Sequence, residues 1–363
     1  MKKIFVTTVA ALLCAGLGAR TFDVLPHVGL DYIFLNSEYA RSNNQFDESG
    51  TLHAVRLTPS ADMVFATKDS VFRHRVSAGV NLRKTMGDGL GLKALYESPV
   101  ICYGLEVSKR PGRQFSLCVG SIPRDRMQQK YIGPIFSPGA YYDNPTLQGA
   151  LIQWNAERFR TEISLDWNGL LGDEANPTRR EQFQILLSGD WHFAGPLHLR
   201  WEGSFHHIAC SVEDSNVIDN HLLHPSLAWT PLCGWLDCLD VAAGPIVSYQ
   251  WDRTIDGGLK TPVGLYLTQR AEKKGFYISN GFYCGADLQP LRGEDYSALM
   301  YRGLGQFHTP GSGWADELAL GYARSFGSAV SLRLHLVFDF GSKTDLSGIY
   351  RGCYQAFSLT VRL

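Results

Sequence analysis

The chain has 363 residues, enough for two soluble domains or one large barrel. Its 34 Lys plus Arg balance 35 Asp plus Glu, which argues against a basic nucleic-acid binder and against an acidic, cation-neutralising tail. Charged residues are sparse at 19%, while 12% aromatics and 37 glycines suit a chain of many strands and turns.

Residues 1–19 read as an export signal. Lys2 and Lys3 precede the apolar run "IFVTTVAALLCAGLGA", and the small residues Gly16, Gly18 and Ala19 lie near a cut site. The apolar core is shorter than the roughly 20 residues a membrane anchor needs. Leu13 stands before Cys14 where lipid attachment wants a small residue, so a lipoprotein is not expected. No later segment is long and apolar enough for a transmembrane helix.

From Val24 onward the chain alternates strand-like runs with turn residues, giving about 16 candidate strands, within limits of 14 to 18. The connections alternate in length. "NSEYARSNNQFDESG" is long and "TKDS" short; "TMGDGLGLKALYE" is long and "KRPGR" short. The rhythm continues through Pro123 to Pro145, "AERF", Leu170 to Arg180, "AGP", "SVEDSNVIDN", "TPLCGWLD", "DRTIDGG", "EKKG", Asp287 to Trp314, "FGSA" and "GSKTDLSGIYR". A soluble sandwich has no reason to put its long connections at one end, whereas a transmembrane barrel has short periplasmic turns and longer outer loops.

Individual strands fit this frame. In "FRTEISLDW", Phe159, Thr161, Ile163, Leu165 and Trp167 share one face, opposite Arg160, Glu162, Ser164 and Asp166. Eight residues at about 3.3 Å, tilted near 40°, rise roughly 20 Å, close to the apolar band of such barrels. "EQFQILLSGDWHF", "LHLRWEGSF" and "AVSLRLHLVFDF" repeat the scheme. Trp154, Trp167, Trp191, Trp229 and Trp251 fall near strand ends, as interfacial girdles would. A soluble half-buried sheet would also alternate, but its charged faces could not pack as a second layer without burying many ions. The expected fold is therefore all-β: a transmembrane antiparallel up-and-down barrel over residues 20–363.

Seven cysteines follow the signal, an odd number. Cys233 and Cys238 are close enough for a small loop disulfide, but the spacing is no metal knuckle, and scattered buried thiols are the preferred reading.

A barrel of this size cannot fill its interior with strand side chains, so its lumen holds water unless loops plug it. The strand phases put Arg56, Arg73, Arg75, Arg83, Arg160, Arg200, Arg333 and Arg362 in the lumen. Asp62, Glu106, Glu162, Asp166, Asp190, Glu202, Glu317 and Asp339 face them. Arg73, Arg75 and Arg83 form a ladder on one strand that either contacts solute or pairs with acidic neighbours. The third outer loop, "PRDRMQQKYIGPIFSPGAYYDNP", is the main constriction candidate, with Arg124, Arg126 and Lys130 in one half and Phe136, Tyr141 and Tyr142 in the other. The alternative is a surface loop held by its own contacts. The seventh loop, with Arg292, Tyr301 and Arg302, is the competing plug.

The final "YQAFSLTVRL" sets Phe357, Leu359, Val361 and Leu363 on one face. It resembles the C-terminal strand by which outer-membrane barrels are recognised for assembly, with Leu363 where that pattern has Phe or Trp. The chain as a whole resembles porin-type barrels of the Bacteroidetes kind. In porins the third loop folds into the channel, so the resemblance implies an eyelet built from loop 3.

Enzyme signals are weaker. His206 and His207 point to opposite faces and cannot both ligate a metal from the lumen. Ser204 and His206 share a face, but no third partner marks a catalytic triad. The expectation is a non-enzymatic passive channel for small hydrophilic solutes, with no cofactor, metal or nucleic-acid partner, embedded in outer-membrane lipid and open to homo-oligomerisation. The alternative is a loop-plugged barrel serving as a surface-binding or secretion-associated scaffold.

Overall fold

The computed structural model describes residues 21–39, 49–67, 69–87, 95–128, 131–136, 144–288, 291, 312–343 and 348–363. Residues 1–19, expected to be an export signal, and Lys130, Tyr141, Tyr142, Arg292, Tyr301 and Arg302 lie outside them.

Seventeen strands in chain order form one sheet in which each pairs antiparallel with its sequence neighbour. The two-residue β12 (Leu259–Lys260) and β13 (Val263–Lys273) both pair with β11 (Cys238–Asp252) and act as one stave, so the barrel has 16. It closes where β1 (Thr21–Tyr39) pairs with β17 (Tyr350–Arg362), from Gly29 against Arg362 to Tyr39 against Gly352. Closure leaves no unpaired edge, which an apolar solvent demands of a β-structure.

Tight turns join the strands at one end and longer loops at the other. Between β13 and β14 (Phe276–Ala286) only Lys274 and Gly275 intervene, with φ of 51° and 85°. Left-handed backbone at both central positions is the turn that matches the twist of a β-hairpin. At the opposite end, residues 124–145 join β5 (Arg113–Pro123) to β6 (Thr146–Ala156), and residues 287–311 join β14 to β15 (Ser312–Phe326).

Alternation sorts the faces as expected. On β7 (Phe159–Gly169), Glu162, Ser164 and Asp166 are buried inward, while Ile163 and Trp167 lie exposed outside. Trp167, Phe183, His207, Asp219 and Trp251 fall in register as one outward row at the long-loop end. Trp154, Trp191 and Trp229 mark the short-turn end, 51%, 47% and 47% exposed. Two aromatic levels bounding an apolar band are the mark of a membrane wall.

The core is inside the barrel. Leu186, Leu222, Ile246, Tyr266, Tyr283 and Ala315 project from separate staves into one cluster completed by Ile135, Phe136 and Leu288 from the two long loops. Glycines seat the large rings: a Cβ on Gly264 would lie 2.2 Å from Tyr283 Cε2, and one on Gly321 would lie 2.3 Å from Tyr277 Cζ. Ring and bare backbone thus fill one site in neighbouring staves.

Seven cysteines are free thiols. Only Cys102 and Cys118 are buried, which corrects the expectation of generally buried thiols, and Cys233 and Cys238 are unbridged. Cys238 and Cys284 sit at exposed positions in β11 and β14.

Candidate active site and lumen

Loop 3, residues 124–145, turns inward as soon as it leaves β5. A single 3-10 turn, Arg124–Arg126, points both arginines into the lumen. Arg124 Nη2 pairs with Asp166 on β7, and its Nε donates to the Asn144 carbonyl at 2.7 Å. Arg126 reaches the other way. Its Nη2 donates to Ser77 Oγ at 2.7 Å and lies 3.4 Å from Asp62, and its Nη1 is 3.3 Å from Cys102 Sγ.

The loop then crosses the lumen on backbone donors. Gln128 N–H donates to Glu162 at 2.7 Å, and Ile132 N–H donates to Glu202 at 2.7 Å. Each inward carboxylate thereby satisfies a backbone group that would otherwise be orphaned. Beyond them Ile135 and Phe136 are 1% and 3% exposed. Loop 7 meets them from the far side: Leu288 is fully buried in the same cluster, and Asn220 clasps Leu291 through its backbone N–H at 2.9 Å. The described segments of loops 3 and 7 therefore share one apolar plug.

The arginine ladder divides. Arg73 lies 3.8 Å from Glu106, and Arg75 lies 3.6 Å from Asp62 and 3.4 Å from Glu106, so the pairing alternative describes these two. Arg83 stands further along the strand, directly across from Arg56. Ser204 and His206 do face the lumen, but Ser204 Oγ accepts from Gln184 Nε2 at 2.5 Å. That bond occupies the hydroxyl with an amide instead of a base.

A different constellation lies on the outside. His207 (β9, Leu197–Ile208) and Asp219 (β10, Ile218–Trp229) are register partners on the outward face at the long-loop end. His207 Nδ1 lies 2.7 Å from Asp219 Oδ1, and Arg253 Nε donates to Asp219 Oδ2 at 2.6 Å. Asp219 is 5% exposed at its side chain, His207 20% and Arg253 48%. Phe183 packs on the imidazole with ring centroids 5.0 Å apart, and the Arg253 guanidinium sits 5.2 Å over Trp251. Among the described residues, His207 Nε2 has no hydrogen-bond partner. A carboxylate that fixes one imidazole nitrogen and leaves the other free can act as the orienter and base of a hydrolytic site.

A family profile described as lipid A 3'-O-deacylase-type matches residues 30–302. The chain belongs to this family. The expectation that the protein is not an enzyme is overturned by that membership, because the family is one of enzymes. Strand alternation sends His207 and Asp219 to the outward, lipid-facing side of the barrel.

Solved structures agree on the architecture. In-vitro folded OmpT of Vibrio cholerae, in its trimer form, is 10% identical, covers 94% of this chain and 100% of its own, and superposes with a TM-score of 0.53. OccK1 (OpdK) of Pseudomonas aeruginosa is 11% identical over 94% of this chain and 98% of its own, with a TM-score of 0.52. At such identities the likeness carries the fold alone. This family member accordingly has the fold of the outer-membrane porin barrels. No curated protein matches its sequence.

Proposed function

We propose that the protein is an outer-membrane ester hydrolase that removes an O-linked acyl chain from a lipid A-type glycolipid, with the His207–Asp219 pair as its general base. The supporting observation is that hydrogen-bonded dyad, set in the outward aromatic row at the level where acyl esters meet headgroups. His207 Nε2 would take a proton from water as the water oxygen bonds to the ester carbonyl carbon. Collapse of the tetrahedral intermediate breaks the acyl C–O bond, and the imidazolium returns its proton to the departing sugar oxygen. The products are a fatty carboxylate and a free hydroxyl. Asp219 holds the imidazole tautomer, and the half-exposed Arg253 supplies N–H donors for the oxyanion or a neighbouring phosphate.

Purified barrel incubated with lipid A-containing vesicles should shift the lipid mass by the loss of one acyl chain. His207→Ala should not, while keeping heat-modifiable migration. An unchanged lipid mass with the native chain, or full activity in the variant, rejects the reading.

A second reading, passive diffusion of small hydrophilic solutes, is favoured by the charged cavities that remain in the lumen beside loop 3. Stable conductance steps in a planar bilayer support it, and silence supports a closed barrel. Assembly as a trimer, the form of the V. cholerae relative in fold, belongs with this reading.

A further inference from the structure

Where loop 3 enters the lumen, two adjoining cavities of about 430 Å³ each share Asp31, Arg56, Asp125 and Arg362 as walls. Seven arginines line the two together, among them Arg56, Arg333 and Arg362. The carboxylates lining them are those of Asp31, Asp62, Asp125 and the C-terminal residue Leu363, while Asp166 and Glu106 pair with Arg124 and Arg75 from outside the two cavities.

The recess between β1, β16 (Val330–Gly341) and β17 concentrates this surplus. Asp31 is already engaged, lying 3.0 Å from Arg56 Nη2 and 2.9 Å from Arg362 Nη1, and accepting from Thr360 at 2.8 Å. Arg333 has neither an ion pair nor a hydrogen bond among the described residues. It stands directly across from Ser358, with Ser331 two residues away on the same face. Arg56 faces Arg83 directly across β2 and β3, with the Asp31 carboxylate beside it. Arg333 and Arg362 are exposed to the lumen, and guanidiniums with flanking hydroxyls present forked donors suited to carboxylate or phosphate.

We infer that this recess binds a small multivalent oxyanion, held by Arg56, Arg333 and Arg362 with Ser331 and Ser358 as hydroxyl donors. The site lies inside the barrel, separate from the outward His207–Asp219 pair, and does not depend on the hydrolase reading.

The full-length barrel in detergent can be titrated calorimetrically with succinate, inorganic phosphate and glycerol at low and high salt. Saturable binding of succinate or phosphate but not glycerol, weakened by salt, is expected; which anion binds more tightly assigns the oxyanion class. Arg333→Gln should weaken it about ten- to a hundredfold, the usual effect of losing a charge-assisted hydrogen bond. Ser358→Ala should weaken it less, and it guards against a folding defect in the first variant. Absence of anion binding above glycerol in the native chain overturns the inference, as does unchanged affinity in both variants.

Discussion

Arg124 and Asp166 form an ion pair with almost no access to solvent, the guanidinium 2% and the carboxylate 1% exposed. The pair pins the root of loop 3 to β7, so it positions everything the loop does deeper in the lumen. Arg124→Ala would leave a buried carboxylate without its cation, at a cost of about 3–5 kcal/mol. The expected outcome is a marked drop in the temperature at which the barrel loses its folded gel mobility. Replacing both partners with leucine should restore much of that loss, because the uncompensated charge is then gone. If the single variant melts like the native barrel, loop 3 is not anchored here.

Asp219→Asn tests the outward site with little change of shape. An amide can still fill the space between His207 and Arg253, but it no longer favours the imidazole tautomer or stabilises the imidazolium. Deacylation followed by mass spectrometry of lipid A should slow by about 10²–10⁴-fold with folded migration intact. Arg253→Gln should slow it less, since the His207–Asp219 bond at 2.7 Å remains. A native rate in Asp219→Asn would remove the dyad from the chemistry.

Leu334→Arg places a charge on the outer wall, where Leu334 is 43% exposed amid Leu320 and Phe357. A cation near the middle of the apolar band costs roughly 2–4 kcal/mol. Assembly into vesicles should fall, whereas Arg333→Leu, one residue away and facing the lumen, should assemble normally. Equal tolerance of the two would mean that the wall's inside and outside have been exchanged.

The contrast at residues 333 and 334 also shows what was legible in the sequence. A period of two reports facing directly, so the runs around Ile163, Leu187 and Leu334 disclosed both walls, and the long-short alternation of loops disclosed closure. The inward turn of loop 3 followed from the resemblance to porins, with Arg124 and Arg126 directly after Pro123 as its cations. The plug itself was not. Ile135, Phe136 and Leu288 meet across the lumen from loops far apart in the chain, and neither loop carries a periodicity that records its partner. His207 and Asp219 are hidden for the opposite reason: their period places them among lipid-facing residues, where periodicity alone gives no sign of chemistry. Two ionisable groups falling in the phase of Trp167 and Trp251, at the same strand ends, were the available sign.

Gly264 tests the plug through its packing. It lies opposite Gly285 on β14, and the Tyr283 ring occupies the space its side chain would need, 2.2 Å from an added Cβ. Tyr283 is fully buried, its hydroxyl donates to the Ala286 carbonyl, and its ring belongs to the cluster holding Phe136 and Leu288. Gly264→Ala therefore forces that ring away from the wall and into the plug. Overpacking of this kind costs about 1–3 kcal/mol. A lower unfolding temperature and more frequent current steps in a planar bilayer are expected as the two loops lose their shared seat. Gly234→Ala, where an added methyl meets nothing within 4 Å, should leave both measurements unchanged. Should the two variants behave alike, the glycine–tyrosine notch does not hold the plug in place.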